Sequence, residues 1–264
     1  MQQSEGRATG RQDGELGWIV FENAPRMNAL SPDMAGQAHA LLDGYAADPA
    51  IRVILLRGIG EKAFISGGDI SRFEKTRFDP ETARRDTDRP DAFCAALRAV
   101  RKPVIAMIHG YCLGGGMNVA MSADLRFGSE TSQLGIPAAL RGTAYPDSGL
   151  RMLIDLVGPG VAKDLMFSGR RLDAGAALRV GLLNGVFTPE ELEPELIRYA
   201  RTLAANAPLS IRASKFCIDQ LMLPEERRDV RTMQAMQDTA KNSDDFKEAT
   251  RAFMEKRKPV FRGR

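Results

Sequence analysis

An α/β fold with largely parallel strands is predicted by three features of the chain. Short, largely apolar runs recur at residues 51–56, 103–108 and 125–127 with helix-patterned stretches between them. Glycine clusters stand after two of those runs, at Gly67-Gly68 and Gly114-Gly115-Gly116. From about Pro189 onward the sequence reads as helices alone, with breaks at Pro208, Pro224 and Ser243. Strand, helix, strand, helix, strand is the order of a layered arrangement whose helices connect parallel strands. With 264 residues, 44% hydrophobic and 27% charged, the chain is long enough for one large domain with a helical appendage.

Residues 18–21 form the first apolar run, a predicted strand, followed by a turn at Asn23-Ala24-Pro25. Ser31-Pro32-Asp33 marks a helix start: a Ser cap, Pro at the first helical position and an acid in the first turn. Met34, Ala38, Leu41, Leu42 and Tyr45 then recur at helical spacing, and Asp48-Pro49 ends the helix. Residues 51–56 (IRVILL) predict a strand buried on most sides. Gly58, Gly60, Gly67 and Gly68 punctuate the loop beyond it, and a charged stretch over 72–91 leads to a helix over 91–100. Residues 103–108 (PVIAMI) predict a second buried strand, the triple glycine opens a helix over 117–123, and 125–127 predict a third strand. Ser243 caps a last helix with Asp244 and Asp245 in its first turn. Lys256, Arg257 and Lys258 come near its end and Pro259 stops it, which suits the helix dipole. Residues 1–14 read as a flexible lead-in, 15–188 as the core and 189–264 as the helical region.

The net charge of +3, from 37 basic and 34 acidic residues, is too small and dispersed to point to nucleic acid, and no basic block is interleaved with aromatics. Cys94, Cys112 and Cys217 are widely spaced, which suits a reducing compartment better than a disulfide framework. With His39 and His109 the two histidines and no clustered cysteine, no metal site is expected. Apolar runs of about five residues fall short of the ~20 that span a bilayer. The polar N-terminus lacks an export signal's apolar stretch, so the cytoplasm is the expected location.

The two glycine loops carry the chemistry. They read Phe64-Ile65-Ser66-Gly67-Gly68-Asp69-Ile70 and His109-Gly110-Tyr111-Cys112-Leu113-Gly114-Gly115-Gly116. Neither matches a P-loop or a dinucleotide fingerprint. Tight turns and close packing account for glycines of this kind. The chemical alternative is that strand-end glycines let backbone amides reach a ligand oxygen, aided by the partial positive charge of a following helix N-terminus. Two such amides from different loops make an oxyanion hole.

Seven segments in order resemble the crotonase (enoyl-CoA hydratase/isomerase) family over nearly the whole chain: PRMNALS (25–31), IRVILLRG (51–58), KAFISGGDI (62–70), RKPVIAMIHGYCLGGGMNVAMSADLRF (101–127), YPDSG (145–149), FSGRRLDAGAALRVGLLNGVF (167–187) and AFMEKRKPVF (252–261). The resemblance implies a spiral of ββα units followed by a C-terminal helical part that mediates trimers or dimers of trimers. It implies an acyl-CoA substrate, with coenzyme A part of the substrate and no separate cofactor. Carried over by motif, Gly68 and Gly115 supply the oxyanion amides, and the backbone of Ser66, Gly67, Gly68, Asp69 and Ile70 lies along the CoA adenine. Arg26 approaches a CoA phosphate, and Lys256, Lys258 and Phe261 contact the nucleotide, in some members across a subunit boundary. The bland reading of each cation is a solvated surface side chain.

The chain departs from the family's hydratases, which carry one Glu just after the glycine run and a second 20 residues on. Here those places hold Asn118 and Ala138 (or Ala139). Asn can orient water but has no proton to exchange near working pH, and Ala can do neither. Asp147 in YPDSG stands where some family members carry a working Asp, though Pro-Asp-Ser-Gly is also good turn chemistry. Tyr145 reads as core packing or as a hydrogen-bond donor, Asp69 as a helix cap, and His109 as a buried, hydrogen-bonded side chain. Glu74 and Lys75 read as an acyl-pocket wall or a solvated face. Three functions stay open: an enoyl-CoA isomerase working through Asp147, an acyl-CoA decarboxylase or C–C hydrolase needing no base, and a silent acyl-CoA binder or scaffold.

Overall fold

A computed structural model describes residues 6–69 and 80–264, without the side chains of 80–87. Three consecutive units share one plan: a long strand, a short strand, then a helix. The first is β3 (Val53–Gly58), β4 (Ala63–Ile65) and α2 (Pro80–Ala99); the second is β5 (Val104–Ile108), β6 (Tyr111–Leu113) and α3 (Gly115–Ser122); the third is β7 (Leu125–Ser129), β8 (Gln133–Gly135) and α4 (Asp147–Ser168). The long strands join β1 (Arg7–Asp13), β2 (Leu16–Glu22) and β10 (Gly185–Phe187) in a six-stranded sheet of order β1-β2-β3-β5-β7-β10. All its pairings are parallel except β1 with β2. The short strands and β9 (Arg171–Asp173) form a second sheet of order β4-β6-β8-β9. The predicted ββα spiral is thus realised as two sheets fed alternately by the same run of chain.

The long strands read as continuous apolar runs because both faces are covered. Ile54, Leu56, Val104, Ala106 and Ile108 face one cluster with α1 (Pro32–Ala47) and α2. Val53, Leu55, Ile105 and Met107 face the other, under Leu192, Leu196, Ala200 and Ala204 of α6 (Pro189–Ala205). α6, the first of the C-terminal helices, packs on the core: its apolar face closes the main sheet. The helices α5 (Ala174–Arg179), α7 (Pro208–Leu221), α8 (Val230–Lys241) and α9 (Asp244–Met254) complete the chain. Helix α1 starts as predicted, with the Ser31 hydroxyl accepting from the Met34 amide and Pro32 in the first turn. Ser243 caps α9 in the same way through the Phe246 amide. That helix stops at Met254, before Lys256, whose φ of 54° breaks it.

Residues 7–13 are not a flexible lead-in. They form β1, turned back on β2 by a two-residue loop with Gly14 at φ 58°. Thr9 and Arg7 bond Glu22 across the pair, and the Arg11 guanidinium lies 4.9 Å from the Trp18 ring centroid. An edge strand with one solvated face carries too few apolar side chains to show in a hydrophobic profile, but Asp13-Gly14 is a hairpin signal that could have revealed it. Among the described residues no helix is long and apolar enough to cross a membrane.

Candidate active site

The loop over residues 23–30 is built first, because both glycine turns lean on it. Met27 and Asn28 adopt left-handed backbone at φ 50° and 56°. Asn28, 1% exposed, holds that shape by donating to the Ala63 and Ile59 carbonyls and accepting from the Asn23 amide. The Asn23 side chain in turn donates to Ala29 O. The MNAL stretch is therefore a wired turn, and it presents Leu30 to the first glycine loop. Leu30 N donates to Gly67 O at 2.8 Å, and Asp69 N donates to Leu30 O at 3.1 Å. Ser66 N bonds Met27 O and the Ser66 hydroxyl bonds Arg26 O.

Those bonds leave the Gly68 amide pointing away from Leu30, since successive groups of an extended chain alternate in direction. At the second loop, β6 delivers Gly114 at φ 51°, ψ −110° as the cap of α3. Gly115 follows as the first residue of the helix, its amide at the positive end of the dipole. The loops meet there. A Cβ added to Gly115 would lie 3.4 Å from Gly68 N and 3.7 Å from Gly67 C. Neither the Gly68 nor the Gly115 amide donates to any group among the described residues.

The glycines divide by role. Gly116 is a packing glycine, since a Cβ there would stand 2.1 Å from Ile65 O. Gly110 is another, at φ 55° with a Cβ 2.1 Å from Lys62 O. Gly68 has neither constraint: its φ lies outside the left-handed region, and a Cβ would meet nothing within 4 Å among the described residues. Among the described residues, nothing in the packing requires glycine at 68.

Other site residues fall into place around this pair. Arg26 is engaged by Asp69, Nη1 to Oδ2 2.6 Å, and so is not the lone surface cation read from the sequence. Asp69's capping role, Ile70, Glu74 and Lys75 lie at or beyond the edge of the described residues. Asn118 is buried on α3 and its Oδ1 has no partner. Ala138 is buried just before a single 3-10 turn over Ala139–Arg141. The Tyr145 hydroxyl donates to Gly114 O at 3.0 Å, and burial raises its phenol well above the ordinary value, so it remains an O–H donor. Asp147 is exposed in the first turn of α4. His109 is buried, but among the described residues its Nδ1 has no partner, against the expectation of a hydrogen-bonded side chain. Burial lowers its pKa, with Glu61 opposing, which keeps the ring neutral at pH 7. Among the described residues no cluster of His, Cys, Asp or Glu could hold a metal ion.

Phe261 is held near the N-terminal end of β3. Its carbonyl accepts from Arg52 Nη2 at 2.8 Å, at the start of β3. The glycine turns stand beyond the opposite ends of β3 and β5, where Gly58 abuts β4. Lys256 and Lys258 are exposed. Leu30 and Gly114 are the site-shaping residues that sequence reasoning missed, because their contributions are main-chain atoms.

A model of the family described as enoyl-CoA hydratase/isomerase matches residues 12–264. The chain belongs to that family. Among its relatives, a short-chain-enoyl-CoA hydratase from Clostridium acetobutylicum is 32% identical over 94% of each chain. A crotonyl-CoA hydratase from Syntrophomonas wolfei is 32% identical over 92% of this chain and 93% of its own. An enoyl-CoA hydratase/isomerase family protein from Hyphomonas neptunium superposes with a TM-score of 0.91 at 34% identity, covering 97% and 98% of the two chains. This enoyl-CoA hydratase/isomerase family member has the crotonase fold, as the seven segments imply.

Proposed function

We propose that this family member converts an acyl-CoA thioester by holding its carbonyl oxygen between the Gly68 and Gly115 amides and stabilising the enolate formed at the α-carbon. The observation that carries the reading is the contact of the two loops: a Cβ on Gly115 would stand 3.4 Å from Gly68 N, and neither amide donates to any group among the described residues. Donors aimed at developing negative charge are worth roughly 2.7–4 kcal/mol each in transition-state energy. In the isomerase form of the reading, Asp147 accepts the α-proton, the C–H electron pair passes into the thioester as an enolate, and reprotonation at the γ-carbon shifts the double bond. Hydration at the usual rate is not part of the proposal, because Asn118 and Ala138 stand where the resemblance puts the two glutamates. Arg26, steadied by Asp69, serves a CoA phosphate. Lys256, Lys258 and Phe261 reach the nucleotide of a neighbouring subunit, a reading supported by the hold of Arg52, before β3, on the Phe261 carbonyl.

Self-association into a trimer, or a pair of trimers, gives the C-terminal helices their purpose. Ile218, Leu221, Val230, Phe253 and Met254 are large apolar side chains left exposed on α7, α8 and α9, and burial of such side chains against another copy would favour association. The three cysteines are unpaired, in keeping with a cytoplasmic setting.

The test is incubation with a panel of enoyl-, dienoyl- and malonyl-type CoA esters in deuterated water, read by chromatography and mass spectrometry. Deuterium incorporation with a moved double bond supports the isomerase, and Asp147→Asn should then abolish turnover while leaving CoA binding intact. Tight binding with neither exchange nor product on any ester would leave a silent binder and overturn the enzyme reading.

A second reading is decarboxylation or C–C cleavage of the acyl group. It is favoured by the exposure of Asp147 and by the absence of a carboxylate at 118 and 138, because the departing group itself generates the enolate. Release of CO2 from malonyl- or methylmalonyl-CoA identifies it.

A further inference from the structure

The peptide unit joining Gly114 to Gly115 is trans and planar, so its carbonyl and its amide point in opposite directions. Whatever grips the Gly114 carbonyl therefore aims the Gly115 N–H. Two donors grip it: the Asn118 amide at 3.1 Å, in the first turn of α3, and the Tyr145 hydroxyl at 3.0 Å. Gly114 occupies a backbone region that only glycine visits freely, so the residue's own sterics resist a flip of this peptide poorly. The first loop uses the same device with main-chain atoms, Leu30 N gripping Gly67 O and so aiming Gly68 N–H. The start of α4 is cut to fit the phenol: a Cβ on Gly149 would lie 2.4 Å from Tyr145 Cε1. Glycine in YPDSG thus makes room for the ring as well as for a turn.

We propose that Tyr145 is a positioning residue, whose hydroxyl fixes the Gly114–Gly115 peptide so that the Gly115 amide faces the Gly68 amide across one oxyanion site. The assignment rests on the oxyanion reading. It makes Tyr145 neither an acid nor a base: the hydroxyl keeps its proton and acts through the peptide plane.

The probe is butyryl-CoA labelled with carbon-13 at the thioester carbonyl, bound to the full-length protein and followed by infrared difference spectroscopy. In the wild type the carbonyl band should move to lower frequency on binding. In Tyr145→Phe, which keeps the ring and its packing, at least half of that displacement should be lost, with the affinity for butyryl-CoA within about threefold of wild type. A merely structural tyrosine would weaken binding or folding and leave the band of the bound ester where it was. A full wild-type displacement in Tyr145→Phe overturns the positioning role while the oxyanion site stands. No displacement in the wild type itself overturns the oxyanion reading. Should Tyr145→Phe fail to fold, Gly149→Ala, which crowds the ring and leaves the hydroxyl in place, is read by the same band and should show the same loss.

Discussion

Gly115 faces the amide of Gly68: a methyl group on the one would stand 3.4 Å from the nitrogen of the other. These residues belong to different ββα units and come together because β4 and β6 pair in parallel, placing the turns that follow them side by side.

Alanine separates the roles of the glycines. Gly68→Ala adds a methyl that meets nothing within 4 Å among the described residues, at a φ outside the left-handed region, so thermal unfolding should shift by no more than about 2 °C, while turnover falls by about 100-fold or more. Gly116→Ala drives a methyl toward Ile65 O and should cost at least about 1–3 kcal/mol in urea unfolding. A large stability loss at 68, or none at 116, would reverse the assignment.

Asn28→Ala removes the amide that ties residues 23–30 to the Ile59 and Ala63 carbonyls and leaves those acceptors and the Asn23 amide without it. Each group left unpaired costs about 1–3 kcal/mol, so the variant should lose at least about 2 kcal/mol of stability. It should also bind butyryl-CoA more weakly, because Leu30 no longer steadies Gly67.

The wild type should hydrate crotonyl-CoA slowly or not at all. Restoring both carboxylates in Asn118→Glu with Ala138→Glu should raise hydration by at least about tenfold, since a positioned general acid or base contributes about 100- to 10,000-fold. Brisk hydration by the wild type, measured as loss of enoyl-thioester absorbance, would show that the chain needs neither glutamate.

Burial pushes the Cys94 thiol up to about 11 from an ordinary value near 9. The folded state thus favours the protonated form, and the unfolded chain ionises first. The stability contributed by Cys94 is complete below pH 9 and is lost as pH rises toward 11, at up to about 1.4 kcal/mol per pH unit. Urea unfolding at pH 8, 9, 10 and 11 should show this decline, and Cys94→Ala should make it shallower, the remainder coming from Cys112 and Tyr145, which burial also raises.

Light scattering should report a mass of three or six subunits of 28.9 kDa each. Phe253→Asp with Met254→Asp, placed on the most exposed apolar side chains of α9, should shift it toward the monomer. Unchanged mass in that variant would move the interface elsewhere.

The amino-acid sequence by itself determined the layered α/β class, the start of α1 at Ser31, the buried strands and the two glycine turns. Each of these is encoded by neighbours within a few residues: a cap, a proline, a run of branched side chains. It also carried the family likeness, because the order of seven segments survives where single residues drift. Tertiary structure decided the rest. Three-residue strands such as Ala63–Ile65 and Tyr111–Leu113 are too short for any periodicity, and β1 hides because its outer face is wet. The pairing of Arg26 with Asp69, 43 residues apart, and the grip of Tyr145 on Gly114, 31 residues apart, leave no local mark on the chain. So too with the glycines: 68 and 116 look alike as letters, and only the distance from each absent Cβ to the described atoms across the fold tells an uncrowded glycine from a packing contact.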